Sequence, residues 1–300
     1  MLNELFGTTQ NEKKRNLIRI IYLTVAVILI VCAALAITLI ASRGETDDCD
    51  NDKAVQSVTI EYSFSDTKVG PLLVVNSNSE AYDFELNPES KLVSLKSNIP
   101  TADGSAIYTL RRDDMLANEE ALRALNEMLE DFNKQANDKQ AAKNLSVWTA
   151  YRSFVAQNSL NSSVKGGHSD FHTGMLFELT VGGTQTSIKT DSTFNWIYEN
   201  AHKYGFIERY PESKSSYTGV SDFDNAFRYV GTPHSTYIKE NGISLEEYVD
   251  TIQKSAGLAV SGYKVSYVKA NEIGSTEITH NYRVYSVSGD NMGGLIVTAK

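Results

Sequence analysis

The chain has 300 residues, a net charge of −9 and only two cysteines, Cys32 and Cys49. An acidic protein lacks the basic surface that binding to a nucleic-acid backbone requires, so we exclude nucleic acid as a partner. Because Cys32 lies within an apolar run and Cys49 just beyond it, the folded part of the chain has no internal disulfide and depends on its hydrophobic core.

An uncharged apolar run near the N-terminus is predicted to cross a membrane. Residues 20–41 read IIYLTVAVILIVCAALAITLIA, and about 20 apolar residues in a helix span a hydrocarbon core of roughly 30 Å. Four basic residues lie within residues 13–19, and five acidic residues lie within residues 45–52. The positive-inside rule therefore predicts a cytoplasmic tail over residues 1–19 and an exterior domain, in a single-pass protein of a bacterial-type plasma membrane.

Two other interpretations of this run have less support. A cleaved signal peptide has an apolar region of only about 7–15 residues and a small-residue cleavage site, which does not clearly follow here. A lipoprotein anchored through Cys32 is disfavoured, because the bulky Ile30 and Val31 precede that cysteine in the middle of the run.

The rest of the sequence predicts an α+β domain over residues 57–254, joined to the membrane by a polar, acidic stalk over residues 42–56. The clearest helix covers residues 118–136, where apolar residues recur at three- and four-residue steps after Asn118, a good N-cap. Other helices are expected over residues 192–204 and 244–254, and strands over residues 57–64, 71–76, 145–151 and 175–181. Residues 255–300 predict a small antiparallel β extension of about three strands.

Several fragments of this domain form an ordered series: TAYRSFVAQ (149–157), GGHSDFHTGMLFEL (166–179), YGFIERYP (204–211), FRYVG (227–231), PH (233–234) and SLEEYV (244–249). The series resembles the D-alanyl-D-alanine carboxypeptidase family of zinc peptidases, in its VanY-like branch. That family's motifs run approximately YRS-x-x-x-Q, S-x-H-x-x-G-x-A-x-D, GF-x-x-RYP and EPWH-x-RYVG. The resemblance implies the family's fold and a zinc ion held by two histidines and one aspartate, beside a glutamate that activates water to release the terminal D-alanine.

The zinc-ligand positions of this pattern are substituted in the chain. Alignment of the motifs places Phe171 at the first histidine and Glu178 at the aspartate. It places Ala226 at the second histidine and Phe223 at the catalytic glutamate. Phenylalanine and alanine have no lone pair to donate to a metal. We therefore expect neither zinc nor another cofactor here, and we interpret the chain as a pseudoenzyme.

A displaced zinc site is the alternative that would preserve peptidase activity. The candidate ligands near the substituted positions are His168, His172 and His234, with Asp170, Asp222 and Asp224. We interpret these histidines as surface or loop residues instead, because zinc coordination demands a strict geometry.

Other features of the family pattern are retained. By resemblance Arg152 contacts the substrate, and its planar guanidinium suits the C-terminal carboxylate of a peptide. Gln157, Ser169 and Thr173 are candidates for hydrogen bonds to the same ligand. The alternative role for Arg152 is to tie down a loop, and for Ser169 and Thr173 to shape the turn before the strand at 175–181.

Three hypotheses for function remain open. The first is an inactive relative that binds peptidoglycan stem peptide, or a cell-wall protein, at the outer surface of the membrane. The second is an active metallo-D,D-carboxypeptidase that uses displaced zinc ligands. The third is a structural scaffold whose β-rich tail makes the contacts. We interpret the RYP and RYVG residues Arg209, Tyr210, Arg228 and Tyr229 as packing and turn elements in all three.

Overall fold

The computed structural model describes residues 58–136, 142–160, 162–184, 187–221, 223–255, 257–280 and 283–300. The predicted cytoplasmic tail (1–19), membrane helix (20–41) and stalk (42–56) lie outside these residues, so those predictions stay predictions. Within the described ranges no helix is long and apolar enough to cross a membrane. The chain divides into Met1–Ala54 and Val55–Lys300, and all of the described residues belong to the second unit.

The second unit mixes short strands with helices. The strands are β1 (Val58–Tyr62), β2 (Val93–Ser94), β3 (Thr101–Ala102), β4 (Ser105–Ala106), β5 (Thr109–Leu110), β6 (Leu116–Ala117), β7 (Leu145–Thr149), β8 (Leu176–Val181), β9 (Phe206–Glu208), β10 (Ala226–Tyr229), β11 (Leu258–Val260), β12 (Tyr263–Lys269), β13 (Thr276–His280), β14 (Val284–Gly289) and β15 (Gly294–Ala299). The α-helices are α1 (Glu119–Gln135), α2 (Phe154–Asn158), α3 (Asn195–Asn200), α4 (Ser215–Thr218), α5 (His234–Asn241) and α6 (Leu245–Lys254). The predicted α+β class is confirmed.

A five-stranded sheet in the order β5-β7-β8-β10-β9 forms the centre of the unit. Only β5 and β7 are parallel, and the other neighbours are antiparallel. Helix α1 buries its apolar face in the same core cluster as β7 and β8. Its start is fixed as the sequence predicts, because the Asn118 side chain accepts a hydrogen bond of 3.1 Å from the backbone N–H of Ala121.

The C-terminal residues form more strands than the sequence indicated. Four of them make a sheet in the order β11-β12-β15-β14, and β13 pairs with β1 at the other end of the described chain. Val265 and Ile296 of this sheet lie in one core cluster with Leu72 and with Tyr248 of α6. The extension therefore shares its core with the preceding domain.

Of two local predictions, one was wrong and the other differs from the structure only in its bounds. Residues 71–76 are not a strand, although Leu72–Val75 are buried; the backbone N–H of Val74 donates a single bond of 3.1 Å to the Asp290 carbonyl. The apolar run correctly indicated that these residues are buried, but a buried segment need not belong to a strand. The helix expected over 192–204 is shorter, and it continues as a 3₁₀ turn over Ala201–Tyr204.

Candidate functional site

The substituted positions of the zinc pattern come together where β8 and β10 pair. Ala226 and Glu178 lie directly opposite each other in this ladder, so their side chains share one face of the sheet. Phe171 lies in the 3₁₀ turn Asp170–Thr173 before β8, and its ring centroid is 6.0 Å from that of Phe223. Phe171, Ala226 and Phe223 belong to one apolar cluster with Tyr210, which we call the apolar floor.

A buried ionic network holds the turn that carries Phe171. Both carboxylate oxygens of Asp170 accept hydrogen bonds, one from Arg209 Nε at 2.5 Å and one from Arg228 Nε at 2.8 Å. Arg209 also donates to both oxygens of Glu246, at 2.7 and 3.1 Å. Burial would raise the pKa of Asp170, but the charges of Arg228 and Arg209 outweigh burial and lower it, so the carboxylate is ionised. The two arginines are packing elements, as the sequence indicated, and they balance two carboxylates.

A cavity of about 370 Å³ opens above the apolar floor. Its wall includes three of the four residues predicted to bind substrate, namely Arg152, Gln157 and Ser169. The fourth, Thr173, does not line the cavity. Its hydroxyl donates to the Asp170 carbonyl at 2.7 Å and accepts from the Met175 N–H at 3.0 Å, so it shapes the turn before β8.

Arg152 is the one arginine in the wall of this cavity. Its guanidinium lies 4.4 Å above the ring of Phe171, and Nη1 donates to Gln157 Oε1 at 2.8 Å. Gln157 is in turn fixed by the bond from its Nε2 to the Val164 carbonyl, also 2.8 Å long. Gln157 therefore positions Arg152. The other guanidinium nitrogens bond to no residue in the described ranges.

Two hydroxyl groups in the cavity wall make no hydrogen bond in the part of the chain that the structure describes. They belong to Ser169 and Tyr210, each of which is 6% exposed. Hydroxyls that line a cavity in this way can donate to and accept from a bound ligand. Tyr210 was missed from the sequence, because RYP was interpreted as a packing element. Its position next to Phe223 (ring centroids 5.6 Å apart) arises only in the fold.

Comparison with known proteins identifies the fold around this cavity. The family model described as "VanY: D-alanyl-D-alanine carboxypeptidase" matches residues 115–232. A D-alanyl-D-alanine carboxypeptidase of Enterococcus faecium is 32% identical over 230 residues, covering 70% of this chain and 75% of the relative. This chain belongs to the D-alanyl-D-alanine carboxypeptidase family.

Two further relatives agree with this assignment. A D-alanyl-D-alanine carboxypeptidase of Enterococcus faecalis is 26% identical over 176 residues, which cover 58% of each chain. The crystal structure of the vancomycin resistance D,D-dipeptidase VanXYg, in complex with a D-Ala-D-Ala phosphinate analog, superposes with a TM-score of 0.65 at 25% identity. That match covers 81% of this chain and 99% of the other. The family resemblance predicted from the motifs is confirmed.

The residues at the family's metal position do not fit zinc. Catalytic zinc in proteins takes three nitrogen, oxygen or sulfur ligands from side chains and keeps a fourth position for water. Of the three aligned positions, only Glu178 has a donor atom, and its Oε2 already accepts a hydrogen bond of 2.7 Å from Thr149 Oγ1. Across the described ranges, no group of three or more His, Cys, Asp or Glu side chains is arranged to hold a metal ion.

The histidines considered for a displaced site are engaged elsewhere. His172 is 1% exposed, and its Nε2 accepts from the Gly167 N–H at 3.0 Å, which assigns the proton to Nδ1; Nδ1 lies 2.5 Å from the Arg152 carbonyl. His234 is also buried, between Tyr248 and Thr298. The prediction of surface or loop positions was therefore wrong for His172 and His234, because each packs against aromatic side chains.

His168 differs from these two because it is half-buried at the cavity wall, with Nδ1 3.0 Å from the Asn76 carbonyl. Of the acidic candidates, Asp170 is bound to two arginines and Asp222 lies outside the described residues. The described candidates therefore do not assemble around a common point.

The buried His234 predicts a pH dependence of stability. Burial lowers its pKa to about 4, whereas an unfolded histidine has a pKa of about 6.5. Between these values the unfolded chain binds a proton that the folded chain does not, so stability falls as the pH drops from about 6.5 to 4, by up to roughly 3 kcal/mol. Urea unfolding at several pH values between about 4 and 6.5 measures the free energy of unfolding. We expect this free energy to change less with pH for His234→Gln than for the unaltered chain. An equal change with pH in both would contradict the prediction.

Proposed function

We propose that this family member is a membrane-anchored pseudoenzyme that binds peptidoglycan stem peptide at the outer surface of the cell membrane and does not cleave it. The observation that carries the proposal is the convergence of Phe171, Ala226 and Phe223 at the position of the family's metal and base, directly beneath a retained Arg152. Such a site retains an arginine that can bind a peptide and lacks the metal ligands and the general base that would activate water.

The wall of the cavity suits the C-terminus of a peptide. Arg152 offers guanidinium N–H groups to the terminal carboxylate, and charge-assisted bonds of this kind are the strongest that an arginine makes. The hydroxyls of Ser169 and Tyr210 complete the polar side of the cavity. The apolar floor accommodates small side chains such as the methyl group of D-alanine. The VanXYg complex with a D-Ala-D-Ala phosphinate analog supports the same ligand chemistry here.

The proposed location rests on the sequence alone. An apolar run with basic residues before it and acidic residues after it orients the domain outward, where stem peptides of the cell wall are found. No cofactor is part of this proposal. If the chain instead binds a cell-wall protein, or acts as a scaffold through its β-rich tail, the experiment below should show no binding of the peptide.

The test is peptide binding by the purified full-length protein in detergent. Calorimetric titration with a pentapeptide ending in D-Ala-D-Ala should show binding, and Arg152→Gln should weaken it by about 10- to 100-fold, because a charge-assisted hydrogen bond contributes about 1.5–3 kcal/mol. Arg112→Gln is the matched control, since Arg112 is exposed and already paired with Asp114 at 3.0 Å.

A second arm removes the carboxylate from the ligand and not from the protein. The same pentapeptide with a C-terminal amide should lose a similar amount of affinity for the unaltered chain, and this arm does not depend on how a variant folds. Equal affinity for the acid and the amide would overturn the proposed role of Arg152. Absence of binding to either would leave a protein partner or a scaffold as the function.

A further inference from the structure

A second groove adjoins Arg152. It has a volume of about 470 Å³, and its wall includes Arg111, Arg112, Trp148 and Leu160. Arg152 is the one side chain that lines both this groove and the peptide cavity. A peptide whose C-terminal carboxylate pairs with Arg152 can therefore place its preceding residues in this second walled space.

The side chain of Arg111 is restrained at the wall of this groove. It directly follows β5, and its backbone N–H donates to the Val147 carbonyl at 3.1 Å. Its guanidinium lies 4.2 Å over the ring of Trp148, a cation–π contact that limits the conformations of an exposed side chain. A cation restrained in this way loses less conformational entropy when an anion binds.

Two of the three arginines in the wall of the groove, Arg111 and Arg152, form no ion pair within the described ranges. Arg112 forms an ion pair with Asp114, and the second carboxylate of the wall, Glu89, lies at ion-pair distance from no described cation. Within the described ranges, no carboxylate lies at ion-pair distance from Arg111 or from Arg152. With three arginines and two carboxylates in its wall, the groove has a net positive charge, which favours the binding of an anion.

The two unpaired arginines also affect each other. Burial lowers the pKa of Arg152, Glu178 and Tyr210 oppose that change, and the positive charge of Arg111 adds to the lowering. Both arginines line the same groove, so a single ligand lying in it can contact both side chains. A ligand with one carboxylate would relieve only part of the repulsion between them.

We propose that the groove binds the upstream part of an extended peptide, with Arg111 pairing a second carboxylate on a residue that precedes the C-terminus. The ligand class is thus a dianionic peptide, held at its terminal carboxylate by Arg152 and at an upstream acidic group by Arg111. This inference rests on the proposed function and deepens it. It adds a determinant that selects among peptides with the same terminus.

The test compares synthetic five-residue peptides that all end in D-Ala-D-Ala. Each carries one glutamate at the third, fourth or fifth position from the C-terminus, or glutamine at the same position. At one position the glutamate peptide should bind the full-length protein about 2- to 5-fold more tightly at low ionic strength, and the preference should shrink in 0.5 M salt, as for a partly exposed ion pair. Arg111→Gln should abolish this preference and leave the glutamine peptide bound as before.

Arg112→Gln is again the control, because it removes a neighbouring charge from the same groove without removing an unpaired cation. It should keep the glutamate preference. Equal binding of glutamate and glutamine peptides at every position, or a preference that survives Arg111→Gln, would overturn the inference while the proposed function stands. If no peptide of either kind binds, both fail.

Discussion

Replacing Asp170 with asparagine is expected to lower the free energy of unfolding by about 3 to 5 kcal/mol. The carboxylate is 1% exposed and accepts bonds from Arg209 and Arg228, both of which are fully buried. Asparagine keeps the shape but removes the negative charge. Arg209 would keep its pair with Glu246, whereas Arg228 would have no carboxylate partner within the described ranges. Removing one partner from a buried ion pair leaves the other uncompensated.

Unfolding by urea, followed by the fluorescence of Trp148 and Trp196, measures this change. Asp250→Asn is the control, because it makes the same chemical change in the exposed pair with Lys254 and should alter stability by no more than about 0.5 kcal/mol. An Asp170→Asn variant within about 1 kcal/mol of the unaltered chain would show that the network does not stabilise the turn bearing Phe171.

Rebuilding the family's ligand set is expected to create a zinc site in this chain. The variant carries Phe171→His, Glu178→Asp, Ala226→His and Phe223→Glu. The ladder places residues 178 and 226 directly opposite each other, and the 3₁₀ turn brings residue 171 to the same cluster. Two imidazoles and one carboxylate at these positions supply three ligands and leave the fourth position for water.

The rebuilt variant should bind one zinc ion per chain with submicromolar affinity, measured by competition with a chromogenic chelator. The control carries only Phe171→His and Glu178→Asp, so it offers only two ligands and should bind at least about 100-fold more weakly. Circular dichroism verifies that both are folded. If the folded rebuilt variant binds zinc no better than the control, the alignment of these positions with the family's ligands is wrong.

Local elements could be predicted from the sequence because their determinants are local. The face of α1 is set by residues three and four positions apart, and all of them are buried as expected: Leu122, Leu125, Met128, Leu129 and Phe132. Helix α6 begins where the sequence predicted a helix, because Ser244 and Glu247 form a capping box in which each side chain bonds to the other residue's backbone. The pairing of β1 with β13 depends instead on residues more than 200 positions apart, which no local pattern encodes.

The residues of the candidate site were likewise predictable only in part. The spacing of the motifs predicted that Phe171, Glu178 and Ala226 stand at the positions of the family's three zinc ligands. In the structure the β8–β10 ladder places Glu178 opposite Ala226, and Phe171 lies in the same cluster as Ala226. Nothing in the spacing indicated that the hydroxyl of Tyr210 would reach the cavity. The same holds for Arg111, which is brought near Arg152 by the parallel pairing of β5 with β7.

Zinc content measured together with D-alanine release tests the central claim most directly. The purified full-length protein is incubated with zinc, freed of excess metal, analysed for bound zinc and assayed with a pentapeptide ending in D-Ala-D-Ala. We predict binding of the pentapeptide with neither stoichiometric zinc nor release of D-alanine. One zinc ion per chain, accompanied by release of D-alanine that a chelator stops, would contradict the account.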